Sequence, residues 1–330
     1  KYNPDHMQTR INVAASYAVQ GSEQEMLESL QSTLSAFPRA MEPRLLKARY
    51  YIAKGQLDEV MPLFDELSEE QKEHPDALVT LAGFELAVSR YNQALVTLGK
   101  LLERRPNVSQ YHYMKSKAYA GLGDVGNFSA ELERTVELDP NHFYAKIALA
   151  RLALLSNRFD TFETNLTELR QVAPGNPDVM KLEVVYAQKR GDNEVAEQLL
   201  KALFEQEPTT GNVVSLAAHR QAVCDVSGAV VQLQHWVEEH ADDIKAREKL
   251  AQIYVSSKQV DGGVEQYRQI LKVDPEHVMA LNNLAGHLRD DDPGKALNLA
   301  EKADKLAPDS GSILDTLALA QMKNNNMTEA

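Results

Sequence analysis

Ile244–His277 reads IKAREKLAQIYVSSKQVDGGVEQYRQILKVDPEH, and the reading of these 34 residues decides the fold. Counted from Ile244, Ala251 stands at position 8, Gly263 at 20, Tyr267 at 24 and Pro275 at 32. A proline at the end stops a helix and sets the start of the next. The same punctuation recurs outward along the chain. Pro4, Pro38, Pro106, Pro140, Pro174 and Pro208 fall in one register of 34, and Pro275 and Pro308 continue it with small slips. A fixed period of this size is the mark of a repeat array. Ala, Leu, Glu, Gln and Lys dominate and β-branched alternation is nearly absent, so the class is all-α.

The repeats start at Met7, Met41, Pro75, Ser109, Phe143, Pro177, Thr210, Ile244 and Val278, with a partial one from Gly311, so that residues 1–330 read as a single array. Position 8 is Ala14, Ala48, Ala82, Ser116, Ala150, Val184, Ala217, Ala251, Ala285 and Ala318. Two helices of a hairpin cross closely where positions 8 and 20 meet, so one side must be small. Position 24 carries Leu30, Phe64, Leu98, Leu132, Leu166, Leu200, Leu233 and Tyr267, which fill the space beside that crossing. Gly21, Gly55, Gly123, Asn157 and Gly191 mark the turns. One hairpin leaves a face uncovered, and stacking its neighbours covers it. Lys47, Lys115 and Glu183 replace the usual leucine at position 7 and are expected to snorkel. Trp236, at position 27, is a core residue, and Pro293 opens a second helix in a repeat that is one residue short at its turn.

Over nearly its whole length this pattern resembles the tetratricopeptide repeat (TPR) superfamily, which implies a right-handed α-solenoid of helix–turn–helix repeats. Ala280–Ala285, Asp292-Pro293, Lys295-Ala296-Leu297, Leu306–Asp309 and Ile313–Leu317 are similar to the last repeats of bacterial TPR lipoproteins of the PEP-CTERM and exopolysaccharide systems. That resemblance implies a periplasmic scaffold, possible outer-membrane anchoring included. The alternatives are a non-catalytic arm of a larger enzyme and a cytoplasmic chaperone-type adaptor. Pro4 occupies position 32 of a repeat otherwise missing and Ala330 is position 20 of the tenth, so the sequence reads as an excerpt of a longer array.

Charge and motif set limits on function. Lys and Arg total 35 against 48 Asp and Glu, a formal charge of −13, whereas nucleic-acid binding needs a basic footprint. No phosphate loop or nucleophile elbow is present, and His235 and His240, five apart, do not share a helix face. Cys224 falls at a turn and reads as a passive small residue. The reading is a non-enzyme without cofactor or metal.

The resemblance implies that first helices line a concave groove through positions 2, 5, 6, 9, 12 and 13. Basic residues outnumber acidic ones there: Arg49, Lys117, Arg151, Lys181, Lys189, Lys245, Lys249, Arg289 and Lys323 against Glu42, Asp76, Asp178, Glu248, Asp290 and Asp315. The expected contacts to a partner are Tyr113, Lys117, Tyr144, Arg151, Lys181, Ser215, Lys245, Lys249, Asn282 and Asn283. The ligand would be a protein, or an extended polar or anionic peptide or glycan. Lys181, Lys245 and Lys249 supply the cations of a chaperone-type carboxylate clamp, but Val185 and Ser215 stand where its asparagines belong. The three ammonium groups are expected to converge on one open space.

Overall fold

The computed structural model describes residues 4–324; position 20 of the tenth repeat, Ala330, lies outside them. Among the described residues every regular element is helical. The chain divides into two compact units, residues 1–174 and 175–330.

The first unit holds α1 (Pro4–Val19), α2 (Glu23–Ala36), α3 (Met41–Lys54), α4 (Val60–Asp65), α5 (Glu69–Lys72), α6 (Pro75–Ala87), α7 (Tyr91–Arg104), α8 (Ser109–Leu122), α9 (Val125–Leu138), α10 (Phe143–Leu155) and α11 (Phe159–Val172). The second holds α12 (Pro177–Arg190), α13 (Asn193–Gln206), α14 (Thr210–Ala222), α15 (Val226–Glu239), α16 (Ile244–Ser256), α17 (Val260–Val273), α18 (Val278–Leu288), α19 (Pro293–Leu306) and α20 (Gly311–Lys323). From α3 onward each first helix begins on the residue that the sequence period marks. α1 begins earlier, at Pro4 and not Met7. Proline is well suited to the first helical position, because its missing N–H would have no partner there anyway.

Each unit is an α-solenoid, built by one packing rule. The position-8 residues Ala48, Ala82, Ser116, Ala150, Ala217, Ala251 and Ala285 have no exposed surface. Opposite them Val60, Ala94, Phe162, Ala196, Ala229 and Ala296 are equally sealed. The next ring inward is Leu98, Leu132, Leu233, Leu169, Leu203 and Ile270, each worth about 1.5–3 kcal/mol on burial. Trp236 joins this core, its indole Nε1–H donating to Asp243 Oδ2 at 2.7 Å. Pro293 opens α19, as its sequence context indicates.

In repeats one to eight the turn between the two helices passes through the left-handed region at one fixed position, whereas the shortened turn of repeat nine does not. Gly21, Gly55, Gly123 and Gly191 take φ near 70–80°, and Ser89 (59°), Asn157 (53°), Cys224 (66°) and Lys258 (63°) take the same conformation. The hairpin imposes it whatever residue is present, at a cost for those with a Cβ. Of the position-7 residues, Lys115 pairs with Glu131 at 2.6 Å, and Lys47 donates to Gln31 at 2.9 Å with its ammonium 5.6 Å from the Tyr51 ring.

Position 4 follows a rule of its own. Arg44, Lys146 and Arg247 are buried cations there, and His112 is half-buried. Each reaches the second helix of its own repeat, through Arg44–Glu66 (2.6 Å), Lys146–Glu168, Arg247–Gln266 (2.9 Å) and His112–Glu131 (2.7 Å). Arg44 also donates to Ala40 O, His112 contacts Pro106 O, and Arg247 donates to Ala241 O and Val237 O. Pro106, Val237 and Ala241 lie at or just beyond the C-terminal end of the preceding helix, where a positive charge is favoured, whereas Ala40 is the N-cap of Arg44's own helix.

Repeat two departs from the rule in its second helix. Pro62 lacks the N–H that would bond back to Asp58, and the element begins as a 3-10 turn at Leu57–Glu59 before the six-residue α4. α5 then restarts with a capping box between Ser68 and Gln71. Val60, Phe64 and Leu67 stay buried through the break.

Candidate partner-binding groove

The first helices α12, α14, α16 and α18 of the second unit turn the same row of positions toward two cavities. The larger, 960 Å³, is lined by Lys181, Val185 and Gln188 of α12 and Gly211, Ser215, Ala218 and Ala222 of α14, over an apolar floor of Val184, Leu200 and Leu203. These are positions 5, 9 and 12 of one repeat and 2, 6, 9 and 13 of the next. The smaller, 440 Å³, is lined by Val214, Lys245, Glu248, Lys249, Gln252, Tyr267, Met279 and Asn283. Here too the lining comes from positions 2, 5, 6 and 9, with Tyr267 reaching in from the second helix.

The polar groups of the larger cavity are fixed by the fold. His219 is buried, its Nε2 3.1 Å from Asn193 O and its Nδ1 3.5 Å from Gln188 Nε2. Asn212 Nδ2 donates to Glu207 O at 2.9 Å and Leu203 O at 3.3 Å, holding the end of α13. Ser215 Oγ donates to Gly211 O at 2.8 Å, within its own helix. Lys181 lies 3.6 Å from Asp178. Val185, 42% exposed, gives the cavity an apolar side where a clamp would need an amide. Gln188 stands at position 12 of the expected row, whereas the polar roles of His219 and Asn193 fall at positions outside it.

The smaller cavity is the more cationic. Lys249 Nζ donates to Gln221 Oε1 at 2.9 Å and Gln252 Oε1 at 3.3 Å, both neutral acceptors. Burial pushes its ammonium below the usual lysine range. Lys245 is exposed beside it and has no carboxylate within ion-pair distance. Glu248, the carboxylate of the same lining, lies 3.2 Å from His277. Asn283 Nδ2 donates to the Tyr267 hydroxyl at 3.2 Å, and burial raises that phenol's pKa. Asn282 lines neither cavity; its Oδ1 is buried without a hydrogen bond. The expected lysine triad is therefore divided: Lys181 and Ser215 face the larger cavity, Lys245 and Lys249 the smaller.

The remaining predicted residues belong to the first unit. The Tyr113 ring packs against His142, with centroids 4.6 Å apart and planes tilted by 45°, and the Lys117 ammonium lies 5.9 Å from its ring centre. Burial, and then the nearby Tyr144, raise the Tyr113 phenol. Tyr144 is 62% exposed, its ring 5.5 Å from Phe143. α8 and α10 thus assemble Tyr113, Lys117 and Tyr144 into one aromatic and cationic patch, and Arg151 is exposed further along α10. Among the described residues, no three His, Cys, Asp or Glu side chains are grouped to hold a metal ion, and no helix is long and apolar enough to cross a membrane.

Comparison with known proteins matches three stretches to models of the tetratricopeptide repeat: residues 51–118, 109–142 and 248–311. Among solved structures, the C-terminal part of a TPR repeat-containing protein from Cytophaga hutchinsonii is similar at TM-score 0.55 and 12% identity, covering 72% of this chain and 98% of that one. The Cut9–Hcn1 hetero-tetramer of the APC/C is similar at TM-score 0.46 and 14% identity over 90% of this chain, which spans about half (52%) of that chain's length. Pseudomonas aeruginosa pilF is similar at TM-score 0.45 and 13% identity, over 63% of this chain and 95% of that one.

Proposed function

We propose that this tetratricopeptide repeat protein is a scaffold whose second unit seats an extended, anionic segment of a partner protein along the face of α12, α14, α16 and α18. Binding proteins or peptides is what such repeats do, and the groove's chemistry narrows the ligand. The carrying observation is the smaller cavity, whose lining holds Lys245 and Lys249 against the one carboxylate of Glu248, with neither lysine in an ion pair among the described residues. In a chain of formal charge −13, two ammonium groups against one carboxylate on a groove face mark the place for an acidic side chain or a terminal carboxylate. The larger cavity beside it offers apolar volume for the residues that flank such an anchor.

For the pathway, the reading is exopolysaccharide or protein-sorting machinery of the bacterial envelope, with the chain in the periplasm. Its support is the resemblance of Ala280–Ala285 and Asp292–Leu297 to repeats of that system. An alkaline phosphatase fusion at the C-terminus of the full-length protein, assayed in its native host, tests that part. Activity of the fusion is expected, and its absence beside an active cytoplasmic reporter overturns the periplasmic placement.

The groove is tested with a fluorescein-labelled oligoglutamate peptide, read by anisotropy. Lys245→Glu with Lys249→Glu is expected to weaken capture by about 100-fold, on the scale of losing two charge contacts. Lys295→Glu, on the second helix of repeat nine, should leave it unchanged. Affinity should fall as salt rises, because exposed charges are screened over about 8 Å at physiological ionic strength. Equal losses from both sets of reversals, or indifference to salt, would show the groove charge to be an ordinary solvated face.

A further inference from the structure

Position 11 carries Tyr17, Tyr51, Tyr119 and Tyr254 in repeats one, two, four and eight. In repeat three the residue there is Glu85. A carboxylate is far smaller than a phenol ring, and the space is not refilled. It forms part of a 440 Å³ cavity on the first unit, between α4, α6 and α7, away from the first-helix row. Glu85 is 8% exposed, and its Oε2 is buried with no hydrogen bond in the protein. Thr97 lines the same wall, and its hydroxyl favours the charged form of the group against the burial that pushes its pKa up. Burying a carboxylate costs free energy unless donors satisfy its lone pairs, so one with an unsatisfied oxygen in a cavity wall is an acceptor in want of a donor. Rotation about the last side-chain bond is soft, so either oxygen can be presented to the cavity.

The rest of the lining describes the occupant. Met61, next to Pro62, and Val96, 67% exposed, make an apolar mouth. Gln93 adds an amide. An aliphatic stem passing over Met61 and Val96 and ending in a strong donor would bury its methylenes and complete the carboxylate. We infer that this cavity is a binding site for a lysine side chain of a partner protein, its ammonium received by Glu85. Arg90 at the mouth, the one cation among the lining residues, opposes an isolated lysine and favours one flanked by acidic residues.

This inference shares with the groove reading only the idea that a partner protein is bound, and the test separates the two. The full chain, labelled at its methionine methyl groups, is titrated with Nα-acetyl-lysine amide, and the Met61 resonance is followed by NMR. A saturable shift is expected, and the Nε-acetylated form of the same probe should give none. Glu85→Gln keeps the shape and removes the charge, and should weaken the probe at least tenfold. Glu85→Tyr places there the ring that repeats one, two, four and eight carry and should abolish the shift with the helical CD spectrum intact. Arg90→Ala should tighten binding. Lys245→Glu with Lys249→Glu should leave it as it is, so that failure of the groove does not count against this site. An unmoved Met61 resonance, equal binding of the acetylated probe, unchanged affinity in Glu85→Gln, or weaker binding in Arg90→Ala would overturn the assignment.

Discussion

Repeats two (Met41–His74) and eight (Ile244–His277) have the same length, the same alanine at position 8 (Ala48, Ala251) and a buried cation at position 4 (Arg44, Arg247). Their second halves differ. α17 runs unbroken over 14 residues, whereas repeat two covers the same ground with a 3-10 turn, α4 and α5. At position 22, repeat eight has Glu265 and repeat two has Pro62. The core hardly registers the difference: Val60, Phe64 and Leu67 are as buried as Gly263, Tyr267 and Ile270. Burial is set by where three side chains point, and a broken backbone still delivers them. On the outer surface beside the break, Met61 lines the rim of the Glu85 cavity.

The sharpest way to break the comparison is to exchange those residues. Glu265→Pro in repeat eight removes a helical hydrogen bond in mid-helix and should cost about 3 kcal/mol of stability. Hydrogen exchange should rise first in α16–α18, because solenoid repeats couple mainly to neighbours. The reverse change, Pro62→Ala, should recover only about 1 kcal/mol, since its neighbours have already settled into the interrupted path. Urea unfolding of the paired variants measures both.

The next effect concerns how each first helix is started. α16 is capped by Asp243, which accepts from Ala246 N, from Trp236 Nε1 at 2.7 Å and from Thr210 Oγ1 at 2.6 Å. α3 has Ala40 at that place and no side-chain cap. Asp243→Ala should therefore cost about 2 kcal/mol, a lost cap plus two donors left short. Burial pushes the Asp243 carboxyl up, but the hydrogen bonds from Thr210, Trp236 and Ala246 outweigh it and leave its pKa below the usual value. The unfolded chain then binds the proton more readily than the folded one. The stabilisation is present above about pH 4 and is lost as pH falls through the lower folded value. Trp236 fluorescence followed on acid titration should show it, and in Asp243→Asn that part of the transition should disappear.

The smallest effect is at the turn. Gly55 and Lys258 occupy the same left-handed position, at φ 71° and 63°. Gly55→Lys should lose roughly 1 kcal/mol, and Lys258→Gly should gain a few tenths to about 1 kcal/mol. Thermal unfolding of the two variants compares them, and a loss in Lys258→Gly would mean that the lysine side chain makes a compensating contact.

Period, helix starts, the small residues of the crossings and the helix-forming composition were all written in the sequence, because each depends on residues at fixed local spacing. The groove row was legible for the same reason: positions 2, 5, 6, 9, 12 and 13 do line the two cavities of the second unit. Tertiary structure alone decided what depends on neighbours in space. It made Ser89, Cys224 and Lys258 take a glycine's conformation, since hairpin closure outweighs the preference of one residue. It seated Arg247 against carbonyls at the end of α15 and Arg44 against the N-cap carbonyl of its own helix, and divided Lys181 from Lys245 and Lys249. It also left Glu85 buried with an open oxygen. A side chain's burial, charge partners and unfilled space belong to the packed arrangement around it, and no spacing along the chain records them.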